Sequence, residues 1–93
     1  MPVFESRLDP RDATFAGNRE AMAALVADLR STVAAVEQGG GASANAKHVA
    51  RGKLLPRERI RALIDPGSPF LELSQLAAHG MYDDNIAAAG VIT

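Results

Sequence analysis

The chain has no cysteine and no tryptophan, and aromatic residues make up only 4% of its 93 positions. Without cysteine there is no disulfide framework and no thiolate site, which fits a reducing compartment. Phe4, Phe15, Phe70 and Tyr82 are the whole aromatic complement. Much of the apolar fraction is alanine, which buries little area per residue, so any core is modest. No stretch approaches the ~18 continuous apolar residues of a membrane span. Met1-Pro-Val-Phe does not lead from basic residues into an apolar run, as a signal peptide does. These absences set the expectation of one small, soluble, intracellular domain or a piece of a larger one.

Charge is unevenly spread along the chain. The net charge is −1, yet residues 47–61 carry six of the ten basic residues and a single acid, Glu58. That segment sums to +5 and the remainder to −6. Such a split suits a basic surface facing an anion or an acidic partner, and equally a solvated face paired with nearby carboxylates. Nucleic acid is a poor fit, since no aromatic is interleaved with the cations for stacking. The remaining readings of Lys47, Arg51, Lys53, Arg57, Arg59 and Arg61 are a phosphate-bearing ligand and a subunit interface.

Residues 1–13 are polar, contain Pro2 and Pro10, and read as an extended arm. Thr14 or Asn18 is the expected cap of a long helix. Met22, Val26, Leu29, Val33 and Val36 follow a 4-3-4-3 spacing, one apolar stripe that suits packing or docking against another helix. Gly39-Gly40-Gly41 ends it. A second helix is expected from residue 42 to 49, stopped by Gly52. A third starts at Pro56, with Glu58 in its first turn and Ile60, Leu63 and Ile64 on one face. Asp65-Pro66-Gly67 turns the chain. Residues 70–74 and 86–93 read as strands, with Leu71 and Leu73 on one face of the first and Phe70 and Glu72 on the other. Two strands do not make a stable sheet, so the chain reads as a fragment that stops where a sheet begins.

Other motifs carry less. Gly52-Lys53 is the only Gly-Lys pair, but Lys47 stands where a phosphate-binding P-loop needs its first glycine. His48 and His79 lack metal-ligand spacing and read as surface or hydrogen-bonded histidines, so no metal is expected. Asp83-Asp84-Asn85 reads as a solvated turn.

The run His48-Val-Ala-Arg51-Gly52-Lys53-Leu-Leu-Pro-Arg-Glu-Arg-Ile60 resembles the N-terminal signature of acyl-CoA carboxylase β-subunits, the carboxyltransferase components of biotin-dependent carboxylases. Residues 63–74, Leu-Ile-Asp-Pro-Gly-Ser-Pro-Phe-Leu-Glu-Leu-Ser, extend the likeness, as do Gly80-Met81-Tyr82 and Ala89-Gly90-Val91-Ile92-Thr93. Within the family the pattern is most like that of subunits acting on 3-methylcrotonyl-CoA in leucine breakdown. Subunits for geranyl-CoA or propionyl-CoA are the alternatives.

The resemblance implies a crotonase-like α/β fold: an arm at 1–13, helices over 14–66, and the incomplete start of the carboxyltransferase domain at 67–93. It implies transfer of a carboxyl group from carboxybiotin to the acyl-CoA, with backbone N–H groups at glycine-rich turns stabilising the oxyanions. Those turns lie beyond Thr93, so no catalytic residue is assigned. Arg51 and Lys53 are the candidate contacts for the acyl-CoA phosphates, or else for a subunit interface. Biotin is expected on a partner α-subunit. The other expected partners are the rest of the same subunit and further β copies, with neither nucleic acid nor membrane involved. The setting is a bacterial cytoplasm, or the mitochondrial matrix if eukaryotic. A short non-catalytic helical protein docking on a carboxylase complex is the contrasting reading.

Overall fold

The computed structural model describes residues 1–84 and 86–93. Three helices come first: α1 (Ala13–Glu37), α2 (Ala42–Ala50) and α3 (Pro56–Leu63). Two short 3₁₀ turns, Tyr82–Asp84 and Ala87–Gly90, follow. Two compact units are present, Met1–Ser31 and Thr32–Thr93. The chain exposes 8198 Å². Two separately compact bodies of these sizes would expose about 6,200 Å², so a large area of the chain has no cover of its own. None of the described helices is long and apolar enough to cross a membrane.

In the first unit, residues 1–9 have no regular structure and are exposed. Asp9 starts a turn: its side chain accepts the Arg11 N–H at 3.0 Å and its carbonyl accepts the Asp12 N–H at 3.0 Å. Asp12, not Thr14 or Asn18, caps α1. Its carboxylate accepts the Thr14 N–H at 3.3 Å while its carbonyl takes the first helical bond, from Ala16. An aspartate satisfies a free N–H and adds negative charge at the positive end of the helix, so it outcompetes a threonine two residues later. Along the stripe Met22 is 59% exposed and Leu29 48%.

In the second unit the stripe ends in Val36, which with Ala88 forms the buried core. Both line a small cleft with Gly39, Pro56 and Ile92. The Asn45 side-chain amide donates to the Gln38 carbonyl at 2.8 Å, tying α2 to the turn after α1. Pro56 occupies the first turn of α3, and Glu58 reaches back to accept the Leu55 N–H at 2.8 Å. Ile60 and Ile64 are half-buried, whereas Leu63 is exposed. The turn at 65–68 closes with Ser68 N–H on the Asp65 carbonyl, Pro66 at its second position and Gly67 at its third with φ +78°. That left-handed third position is the one where glycine carries no Cβ clash.

The expected strands do not form among the described residues. Residues 70–74 are without regular structure, and 86–93 holds a 3₁₀ turn followed by Val91 in extended backbone. One backbone bond links them, Leu73 N–H to the Thr93 carbonyl. The Thr93 hydroxyl donates back to the Leu73 carbonyl at 3.0 Å. A single such pair is not a ladder: β-branched residues need a partner strand to gain from extension. Leu71 and Leu73 face solvent, while Glu72 on the opposite side turns inward. The turn expected at 83–85 is part of the first 3₁₀ turn up to Asp84. Asn85 lies outside the described residues.

Candidate functional site

The basic run spans the end of α2, the connection to α3, and α3 itself. His48 sits in the last turn of α2, and its Nε2–H donates to the Leu54 carbonyl at 2.9 Å. A carbonyl only accepts, so this bond places a proton on Nε2. The histidine is thus a hydrogen-bonded tether, as its sequence context suggested. The helix end is closed by Arg51 N–H on the His48 carbonyl and Gly52 N–H on the Val49 carbonyl. Gly52 lies at φ +75°. The turn is therefore bound at one side by backbone and at the other by the imidazole.

Arg51 and Lys53 flank Gly52 on this turn. Both are exposed, and neither side chain has an ion-pair or hydrogen-bond partner among the described residues. Lys47 stands in the last turn of α2 with Arg51 just after it, where positive charge offsets the negative end of the helix dipole. That arrangement stabilises α2, and it weakens the positive field close to the helix end. Lys53, one step further out, is the freer cation of the two.

Arg57 has a different role from the rest of the run. Its guanidinium donates to Glu72 Oε1 at 2.5 Å, and Glu72 Oε2 accepts the Gln75 amide at 3.4 Å. The Arg57 side chain is 21% exposed and that of Glu72 8%. Arg57 Nε is buried without a partner. Arg59 and Arg61 remain exposed on α3. Arg61 lines a groove of about 410 Å³ with Glu37, Asn45, His48, Arg57 and Glu58, which Arg51 and Lys53 do not reach. The six cations of the run are thus one clasp, Arg57, and five exposed charges. Sequence reading missed the clasp, because its partners stand 15 residues apart and no local spacing rule connects them.

With this geometry in place, residues 47–93 match the carboxyl transferase domain family. The chain belongs to that family, and a crotonase-like carboxyltransferase is the architecture that fits it. Among individual proteins it is similar to the biotin-dependent 3-methylcrotonyl-coenzyme A carboxylase beta1 subunit of Mycobacterium tuberculosis, 59% identical over 69 residues, which cover 74% of the chain and 13% of that protein. It is also similar to the probable mitochondrial methylcrotonoyl-CoA carboxylase beta chain of Drosophila melanogaster, 48% identical over 97% of the chain and 16% of that protein. The mitochondrial methylcrotonoyl-CoA carboxylase beta chain of Arabidopsis thaliana is 46% identical over 98% of the chain and 16% of its own length. The chain therefore spans about one seventh of these relatives.

Proposed function

We propose that this chain is the N-terminal part of the carboxyltransferase subunit of a biotin-dependent acyl-CoA carboxylase. The whole subunit moves a carboxyl group from carboxybiotin to 3-methylcrotonyl-CoA, a step of leucine breakdown. The observation that carries this reading is the family match over residues 47–93, supported by the names of relatives at 46–59% identity. This segment contributes structure and subunit contacts, and the chemistry lies elsewhere in the subunit. Its partners are the rest of that subunit, further copies of it, and the subunit that carries biotin. The setting is a bacterial cytoplasm, or the mitochondrial matrix in a eukaryote.

Within the reaction, Arg51 and Lys53 meet the phosphates of the acyl-CoA. Two unpaired, exposed cations on a tethered turn suit a flexible polyanion, and charge-assisted hydrogen bonds to phosphate are the strong kind. Biotin, held by another subunit, is assigned no contact on these residues.

In the complete domain, residues 70–74 and 86–93 become strands. Six non-glycine residues between 74 and 89 have positive φ: Ser74, Ala78, Tyr82, Asp83, Ala88 and Ala89. At about 1–2 kcal/mol each, this backbone costs on the order of 6–12 kcal/mol, comparable to the stability of a whole domain. Extension onto a neighbouring strand removes the share borne by Ser74, Ala88 and Ala89, about half of it.

The test uses the full-length subunit with its biotin-carrying partner. Arg51→Ala and Lys53→Ala should each raise the apparent KM for 3-methylcrotonyl-CoA roughly tenfold with kcat unchanged. Unchanged KM with lost subunit assembly makes the pair an interface instead. A higher kcat/KM for geranyl-CoA or propionyl-CoA overturns the substrate assignment.

A further inference from the structure

The connection between α2 and α3 is held in two unlike ways. Up to Gly52 the backbone closes it: the Arg51 N–H donates to the His48 carbonyl at 3.2 Å and the Gly52 N–H to the Val49 carbonyl at 2.9 Å. Beyond Gly52 the chain leaves the helix. The Leu55 N–H is taken by Glu58 of α3, and the Leu55 carbonyl accepts the Arg59 N–H. Among the described residues, one hydrogen bond leads from residues 53–55 back to α2, from the His48 Nε2–H to the Leu54 carbonyl at 2.9 Å. His48 is half-buried, so this bond is partly shielded from competing water.

We propose that His48 is a positioning residue for Lys53, an inference that rests on the reading of Arg51 and Lys53 as the phosphate contacts of the acyl-CoA. The His48 ring fixes the backbone from which the Lys53 ammonium reaches. Arg51 takes its place from α2 itself, through the two backbone bonds at the helix end. Lys53 lies between the left-handed Gly52, at φ +75°, and the bonded Leu54 carbonyl. Its own backbone N–H and C=O have no bond among the described residues. Cutting the ring away therefore frees Lys53 and leaves Arg51 where it was. A glutamine at position 48 keeps an amide N–H at a comparable reach and cannot take up a charge, so it restores the bond without the chemistry of an imidazole.

The test uses the full-length subunit with its biotin-carrying partner and measures carboxylation of 3-methylcrotonyl-CoA. His48→Ala should raise the apparent KM roughly fivefold, the worth of one hydrogen bond, with kcat unchanged. His48→Gln should stay within about twofold of the wild type. Lys53→Ala should add only about twofold on the His48→Ala background, whereas Arg51→Ala should add its full effect there. A general loss of structure weakens both cations alike and gives no such split. Hydrogen exchange of the α2 amides should match the wild type in both His48 variants. An unchanged KM in His48→Ala beside a raised one in Lys53→Ala overturns this inference and leaves the phosphate reading standing. Equal costs of Lys53→Ala in the two backgrounds, a His48→Gln variant as impaired as His48→Ala, or faster exchange throughout α2 do the same. An unchanged KM in both Lys53→Ala and Arg51→Ala overturns the phosphate reading, and this inference with it.

Discussion

Removing either member of the Arg57–Glu72 clasp should loosen residues 70–74. The Glu72 side chain is 8% exposed, so Arg57→Met leaves its carboxylate nearly dry, held only by the Gln75 amide at 3.4 Å. Orphaning one member of a fully buried pair costs about 3–5 kcal/mol. Arg57 keeps 21% exposure, so water reaches the pair and the expected loss is about 2 kcal/mol. That corresponds to roughly 30-fold faster local opening. The natural reporter is the Leu73 amide, whose hydrogen is held by the Thr93 carbonyl. Native-state hydrogen exchange on the wild-type chain, Arg57→Met, Glu72→Leu and the double variant forms a complete cycle. Each single variant should accelerate exchange at Leu73. The double variant should recover much of the loss, because an apolar pair of similar volume carries no desolvated charge. Additive effects of the two substitutions, or singles that change exchange less than about threefold, would show that the clasp does not hold this segment.

Two further outcomes follow from the backbone. Asp12→Ala should reduce helicity at the start of α1, at a cost of about 1 kcal/mol, read from exchange of the Thr14 and Ala16 amides. Asp12→Asn should restore most of it. Gly52→Ala meets no atom within 4 Å of the new Cβ, so its cost is purely that of left-handed backbone, about 1–2 kcal/mol. It should appear as faster exchange at residues 51–54 and a higher KM for acyl-CoA in the whole subunit, with Gly52→Asn milder than Gly52→Ala.

The helices are legible in the sequence because their determinants are local. Pro56, Glu58 and the glycine triplet act within one turn, and the stripe from Met22 to Val36 is a matter of period alone. The expected caps, Thr14 or Asn18, both fall inside α1, since Asp12 satisfies the same capping rule and adds a favourable charge. The strands were not obtained, because extension is a property of pairs of segments, and Leu73 and Thr93 supply one backbone bond between them. For the candidate site, sequence located the basic run and the bonded histidine, but gave no way to separate Arg57 from its neighbours. That distinction rests on Glu72, brought in by the turn at 65–68.

The bond from His48 to Leu54 ties the end of α2 to the approach to α3. With the helix end also closed by the Arg51 and Gly52 N–H groups, the connection is pinned on both sides. The frame that presents Arg51 and Lys53 is therefore ordered by folding and not by contact. Whatever meets the two side chains, ligand or subunit, finds a backbone already set, so less conformational entropy is lost on association than against a loose loop.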